Sequence, residues 1–180
     1  MKWELIKKLE DEKENHANLR SELEQMRKNS LEIFKTKARN AFIGYFAEKG
    51  FTLAQDTSTQ ETKQKNEPKK DRIKMQYKNL SVTLGSCDSN VWTVSCDGSS
   101  FGLGYPTRWV NVCQDYPVYC VPRPYINAPI EDGIAYEVEA SEHLKNAIAN
   151  YNPDSCYFAI DNHHQRHATF ESVMEKIFSD

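Results

Sequence analysis

Two imidazoles four residues apart, His163 and His167, follow Asp161 and flank His164 near the carboxyl end. On one helical face such a pair reaches a single divalent ion, and the carboxylate would complete a set with a position open for water. That is the chemistry of a metal-dependent hydrolase or nuclease. The context reinforces it little. There is no HExxH pattern, and His163 and His167 continue an apolar stripe through Phe170, Val173, Met174, Ile177 and Phe178, as partly buried histidines at a helix start would. Asp161, His163 and His167 are therefore the alternative reading, and no cofactor is expected.

Other reactive patterns are weaker. His167-Ala168-Thr169 has a His-x-Thr form that can serve a phosphate, but acid and base roles need a second copy, and neither His16 nor His143 has a hydroxyl at that spacing. Gly102 and Gly104 lack the third glycine and the lysine of a phosphate loop and read as a tight turn. Cys120 and Cys156 have no basic or glycine-rich setting that would favour a thiolate. No catalytic residue is assigned.

A binding surface has more support. Trp92, Phe101, Tyr105, Trp109, Tyr116, Tyr119 and Tyr125 lie within 34 residues, with Arg108 and Arg123 among them. Tyrosine, tryptophan and arginine are enriched at the energetic centres of protein interfaces. With Trp92 in the core, Tyr105, Arg108, Tyr119 and Arg123 are the candidate partner-binding residues.

These side chains need a scaffold, and apolar alternation supplies one. Ile73/Met75/Tyr77, Leu80/Val82/Leu84, Trp92/Val94/Cys96 and Val110/Val112 read as half-buried strands of an antiparallel meander, with a short edge strand over 51–54. Four prolines, Pro117, Pro122, Pro124 and Pro129, make 116–130 an extended arm. Beyond it, Ile134, Tyr136, Val138 and Ala140 alternate as a further strand. Ser141 then caps a helix with Leu144, Ala147, Ile148 and Tyr151 on its buried face, and 156–160 is a strand before a last helix.

The first 49 residues hold no proline and one glycine, Gly44, and Gly50 supplies the stop. Leu9, His16, Leu23 and Ser30 form one row of a seven-residue repeat, and Leu5, Glu12, Leu19, Met26 and Ile33 form the other. So narrow a seam is normally buried on another helix. Leu5, Leu9, Glu12, His16, Leu19, Leu23, Met26 and Ile33 are thus the expected oligomer interface, with Glu12 and His16 conditioning its register. Lys8 facing Lys13 argues against a simple parallel dimer. Phe34, Ala38, Ala41, Phe42, Tyr45 and Phe46 form a broader stripe suited to a sheet.

The fold class is therefore α+β: a long amino-terminal helix, coiled-coil-like, then a mainly antiparallel sheet with two carboxy-terminal helices. The expected divisions are a helix over 1–50 (association over 1–33, docking over 34–50), a flexible basic linker over 55–70 and an α+β domain over 71–180. The net charge of −3 is polarised, with +5 between Lys63 and Lys78 and −7 from Asn127 to Asp180. The basic 63–78 segment makes nucleic acid a second alternative partner, opposed by the acidic remainder. Five cysteines without close pairing, and an amino terminus lacking an apolar signal, point to a reduced cytoplasmic protein. No stretch reaches the roughly 20 apolar residues that cross a bilayer, so no membrane is expected. The expected function is a non-enzymatic homo-oligomeric adaptor or inhibitor that presents its α+β domain to an unidentified protein.

Overall fold

The computed structural model describes residues 2–54, 72–88, 90–98, 105–115, 121–161 and 165–178. It is α+β, with a long helix, a six-stranded antiparallel sheet and two shorter helices. The elements are α1 (Lys2–Ala47), β1 (Thr52–Leu53), β2 (Arg72–Tyr77), β3 (Leu80–Asp88), β4 (Val91–Gly98), β5 (Tyr105–Gln114), α2 (Ile130–Ala149), β6 (Cys156–Ile160) and α3 (Phe170–Phe178). Residues 1–30 with 115–155 form one compact unit, and 31–114 with 156–180 form the other. The first is helical and contains α2; the second is the sheet with α3. Helix α1 supplies residues to both.

In the sheet unit the strands follow chain order, β1 to β6, each antiparallel to the next. The register aligns Met75 with Val82 and Cys96, Leu84 with Val94, and Trp92 with Val110 and Ile160. Alternation puts these side chains on one face, where they are covered by Ala38, Phe42 and Phe46 of α1 and Phe170, Val173 and Met174 of α3. Phe34 stacks on Phe158 with ring centroids 4.4 Å apart. The broad stripe after Ser30 therefore docks on the sheet, and each fully buried aromatic or aliphatic side chain there contributes about 1.5–3 kcal/mol. The opposite face carries Arg72, Lys74, Thr83, Thr93, Ser95 and Trp109.

Helix α1 ends where glycine permits. Gly50 has φ +84°, its N–H bonds the Ala47 carbonyl, and the Phe51 N–H reaches back to the Phe46 carbonyl at 3.0 Å. Phe51 then packs edge-on against Phe46, ring centroids 5.2 Å apart. This is a Schellman closure with its hydrophobic contact.

In the helical unit, α2 corrects the sequence expectation. Ile134, Tyr136, Val138 and Ala140 are not a strand, and Ser141 is not a cap: one helix runs from Ile130 to Ala149, with Ser141 buried in its middle. The period-two pattern was incidental. Ile134, Ser141, Leu144 and Ala147 are buried at helical spacing. The helix starts behind Pro129, with Glu131 and Asp132 in the first turn, where carboxylates suit the dipole. The segment 115–155 that contains α2 lies between strands that are neighbours in the sheet, Gln114 pairing with Cys156.

Helix α2 runs parallel to the first part of α1. A Cβ on Gly133 would sit 3.5 Å from Leu9. Further along, His16 bonds Glu137, Leu23 clusters with Leu144 and Ala147, and the Tyr151 hydroxyl donates to the Met26 carbonyl at 3.4 Å.

Candidate functional site

The heptad rows are sheltered along the first thirty residues of α1: Leu23 and Ser30 are buried, and Leu5, Leu9, Glu12, His16, Leu19 and Met26 are half-buried, as are Asn15 and Arg27 beside them. Within the single chain, Leu9, His16 and Leu23 meet α2, Leu19 packs against the cluster of Leu23, Leu144 and Ala147, and the Met26 carbonyl meets Tyr151 just past the end of α2. Ile33, at the end of the seam, is exposed. The narrow stripe thus has an intramolecular partner in α2, a helix whose first half carries a strand-like alternation in sequence.

His16 shows how the polar seam positions are used. Its Nδ1 lies 2.5 Å from Glu137 Oε2, and both side chains are largely buried, at 18% and 15% exposure. The imidazole also meets the Tyr136 ring edge-on, with centroids 6.3 Å apart. Being directional, this contact fixes the axial register of α1 on α2 in a way that a leucine pair would not.

Beside this pair an open groove of about 470 Å³ is lined by Leu9, Lys13, His16, Ala17 and Arg20 of α1, by Gly133, Tyr136 and Glu137 of α2, and by Arg123 and Pro124 of the arm. Ala17 and Gly133 keep its floor low. Lys13 and Arg20 stand two turns apart, about 10 Å along the axis. Arg123 Nε donates to the Tyr136 hydroxyl at 3.3 Å, and chiefly this bond raises the guanidinium pKa further. The Lys13 ammonium is likewise raised, chiefly by its 2.8 Å hydrogen bond to Glu10. Three basic side chains around an apolar floor, with Glu137 held by His16, suit carboxylates attached to an apolar body.

The other candidates are dispersed. Arg108, on β5, pairs through Nε with Asp161 at 2.8 Å, and Asp161 also accepts the Trp109 N–H at 2.9 Å. Arg123 belongs to the helical unit and Arg108 to the sheet unit. Tyr105 starts β5. Tyr119 lies outside the described residues, as do His163, His164 and the linker over 55–70.

For the metal reading, α3 begins only at Phe170. His167 instead sits in an isolated bridge with Phe158, buried, its Nδ1 3.3 Å from the Ser172 hydroxyl. The helical spacing that was to bring His167 round to His163 is not formed at His167, because its backbone bonds the edge of β6. Among the described residues no group of three histidine, cysteine or acidic side chains could hold a metal ion.

Sequence reasoning missed Lys13, Arg20, Tyr136 and Glu137. The seven-residue spacing of Lys13 and Arg20 was the available signal. Among the described residues, no helix is long and apolar enough to cross a membrane. No protein-family model, curated protein or solved structure matches the chain.

Proposed function

We propose that this chain is a non-enzymatic interaction protein of the adaptor or inhibitor type, which self-associates and binds a protein partner. The observation that carries the reading is the exposed apolar end of the helical unit. Trp3 is 80% exposed and Tyr125 93%, with Ile6 and Ile126 also exposed. Parallel pairing of α1 and α2 puts the two pairs of residues at the same end, since the turn Tyr125–Ala128 leads directly into α2. Single exposed apolar residues are ordinary, but four large ones, two at the start of α1 and two in the turn that leads into α2, two of them aromatic, are what a protein interface uses. Self-association would multiply such ends and supply avidity. Cys96 and Cys113 are free thiols, in keeping with a reducing, cytoplasmic setting.

Capture from host extract on immobilised full-length chain tests this, with Trp3→Ala/Tyr125→Ala/Ile126→Ala alongside. These side chains carry little packing, so the variant keeps the wild-type circular dichroism. Proteins retained by wild type and lost by the variant are expected. An identical set on both would refute the assignment.

A further inference from the structure

We infer that copies of this chain associate with the acidic outer face of α2 from one copy seated on Lys13, Ala17 and Arg20 of the next. The inference rests on the self-association in the reading above and gives it a surface. On α2 the residues Asp132, Ala135 and Glu139 are all exposed, as are Lys13, Ala17 and Arg20 on α1. From Lys13 the α1 stripe steps four residues to Ala17 and three more to Arg20. Read backwards from Glu139, the α2 stripe steps four residues to Ala135 and three more to Asp132.

Two helices laid antiparallel therefore bring Glu139 to Lys13, alanine to alanine and Asp132 to Arg20. Each match falls at the same rise, about 6 Å and about 10 Å along the axis. The two alanines let the helix axes approach at the short end of the packing range. Val138, half exposed beside Glu139, and Glu142 extend the same acidic face.

The present partners of these charges do not obstruct the contact. Lys13 bonds Glu10 and Arg20 bonds Glu24 within one exposed helix face, and Glu139 stands 3.9 Å from His143. Such same-helix surface pairs contribute little and are readily exchanged for cross-helix ones. The contact joins two different patches of the chain, so it either repeats head to tail into a ring or a chain or is made twice in a closed two-fold dimer, each copy offering both patches. A second copy is the fitting occupant because both halves of the charge pattern are present in this chain at matching spacing.

The test is light scattering coupled to size exclusion at low salt, on the full chain and two charge-reversed variants, Lys13→Glu/Arg20→Glu and Asp132→Lys/Glu139→Lys. Wild type is expected above monomer mass and each variant at monomer mass. An equimolar mixture of the two variants should return above monomer mass, because each then offers the charge the other lacks. That recovery also shows that both are folded. Wild type associating while the variants remain equally associated would overturn this surface and leave self-association standing. A wild type that is monomeric at every soluble concentration would overturn both, leaving the apolar end to its own test.

Discussion

The pairing of α1 with α2 rests on a small cluster, so one side chain should matter greatly. Leu144 is 1% exposed and Leu23 9%, with Ala147 between them and Leu19, Ile148 and Tyr151 around. Leu144→Ala removes three carbons, about 2.4 kcal/mol at about 0.8 kcal/mol per buried methylene. The cavity adds to this, giving about 3 kcal/mol within the range of about 2.7–5 seen for buried leucines. Leu23→Ala, less buried, should cost about 2–3 kcal/mol. Because the two touch the same cluster, the double variant should lose less than the sum, by about 0.5–1.5 kcal/mol.

Urea unfolding followed by far-ultraviolet circular dichroism at one fixed protein concentration gives the three values. Hydrogen exchange over 130–149 shows whether the loss is local to the helical unit, which need not unfold together with the sheet. Additivity within about 0.3 kcal/mol would show that Leu23 and Leu144 do not share one cluster. It would mean that Leu23 finds its cover elsewhere, as it would if the seam met a second chain.

Ser141 Oγ is buried in α2 without a hydrogen-bond partner among the described residues. Ser141→Ala removes that desolvation cost and improves helix propensity, so it should stabilise by about 1 kcal/mol in the same urea assay. Asp161 holds φ +46°, which asparagine tolerates, so Asp161→Asn should cost about 1 kcal/mol through the lost ion pair, whereas Asp161→Val should cost about 2–3 kcal/mol because it adds backbone strain. Thermal melts of the two, ranked in the reverse order, would contradict this. Burial first, and the Asp97 charge second, push the Cys96 thiol above its ordinary value of about 8.5. The folded state therefore keeps its proton longer than the unfolded chain, and the associated stability is full below that ordinary value and lost as pH rises through the raised one. Alkylation of Cys96 should accordingly be slower at pH 8 than that of a free cysteine, measured by mass spectrometry of the modified peptide.

The sheet was legible because its strands are half-buried. Met75, Val82, Leu84, Trp92 and Val94 alternate with polar residues, and the meander follows from short turns between them. The stop at Gly50 and the change of stripe after Ser30 were equally readable, since each is written in local residue types. The helical unit was not. Ile134, Tyr136, Val138 and Ala140 satisfy period two by chance, and only the longer window from Ile134 to Tyr151 shows the helical period. Without that helix the seam has no partner of its own within the chain. The groove depended on the same error: Tyr136 and Glu137 face it only when helical, and Arg123 reaches it only through the tertiary path of the arm. His167 was misplaced for a different reason. Its neighbours carry helical spacing, but its backbone pairs with Phe158, a long-range bond no local pattern announces.

The insertion of residues 115–155 between two neighbouring strands has a kinetic consequence. Strands β2 to β5 are joined in sequence and can zip together through short closures. β6 pairs with β5 only after a 41-residue segment has returned the chain, Asp115 N–H meeting the Ser155 carbonyl at its base. Relative to a two-residue hairpin, closing such a loop costs about 2.7 kcal/mol of chain entropy. The meander therefore forms the early nucleus, while β6, with Phe158 and the α3 residues behind it, joins late. Preformed α2 lowers that barrier by shortening the free chain, so substitutions that weaken α2 should slow the closing of a sheet to which α2 itself does not belong.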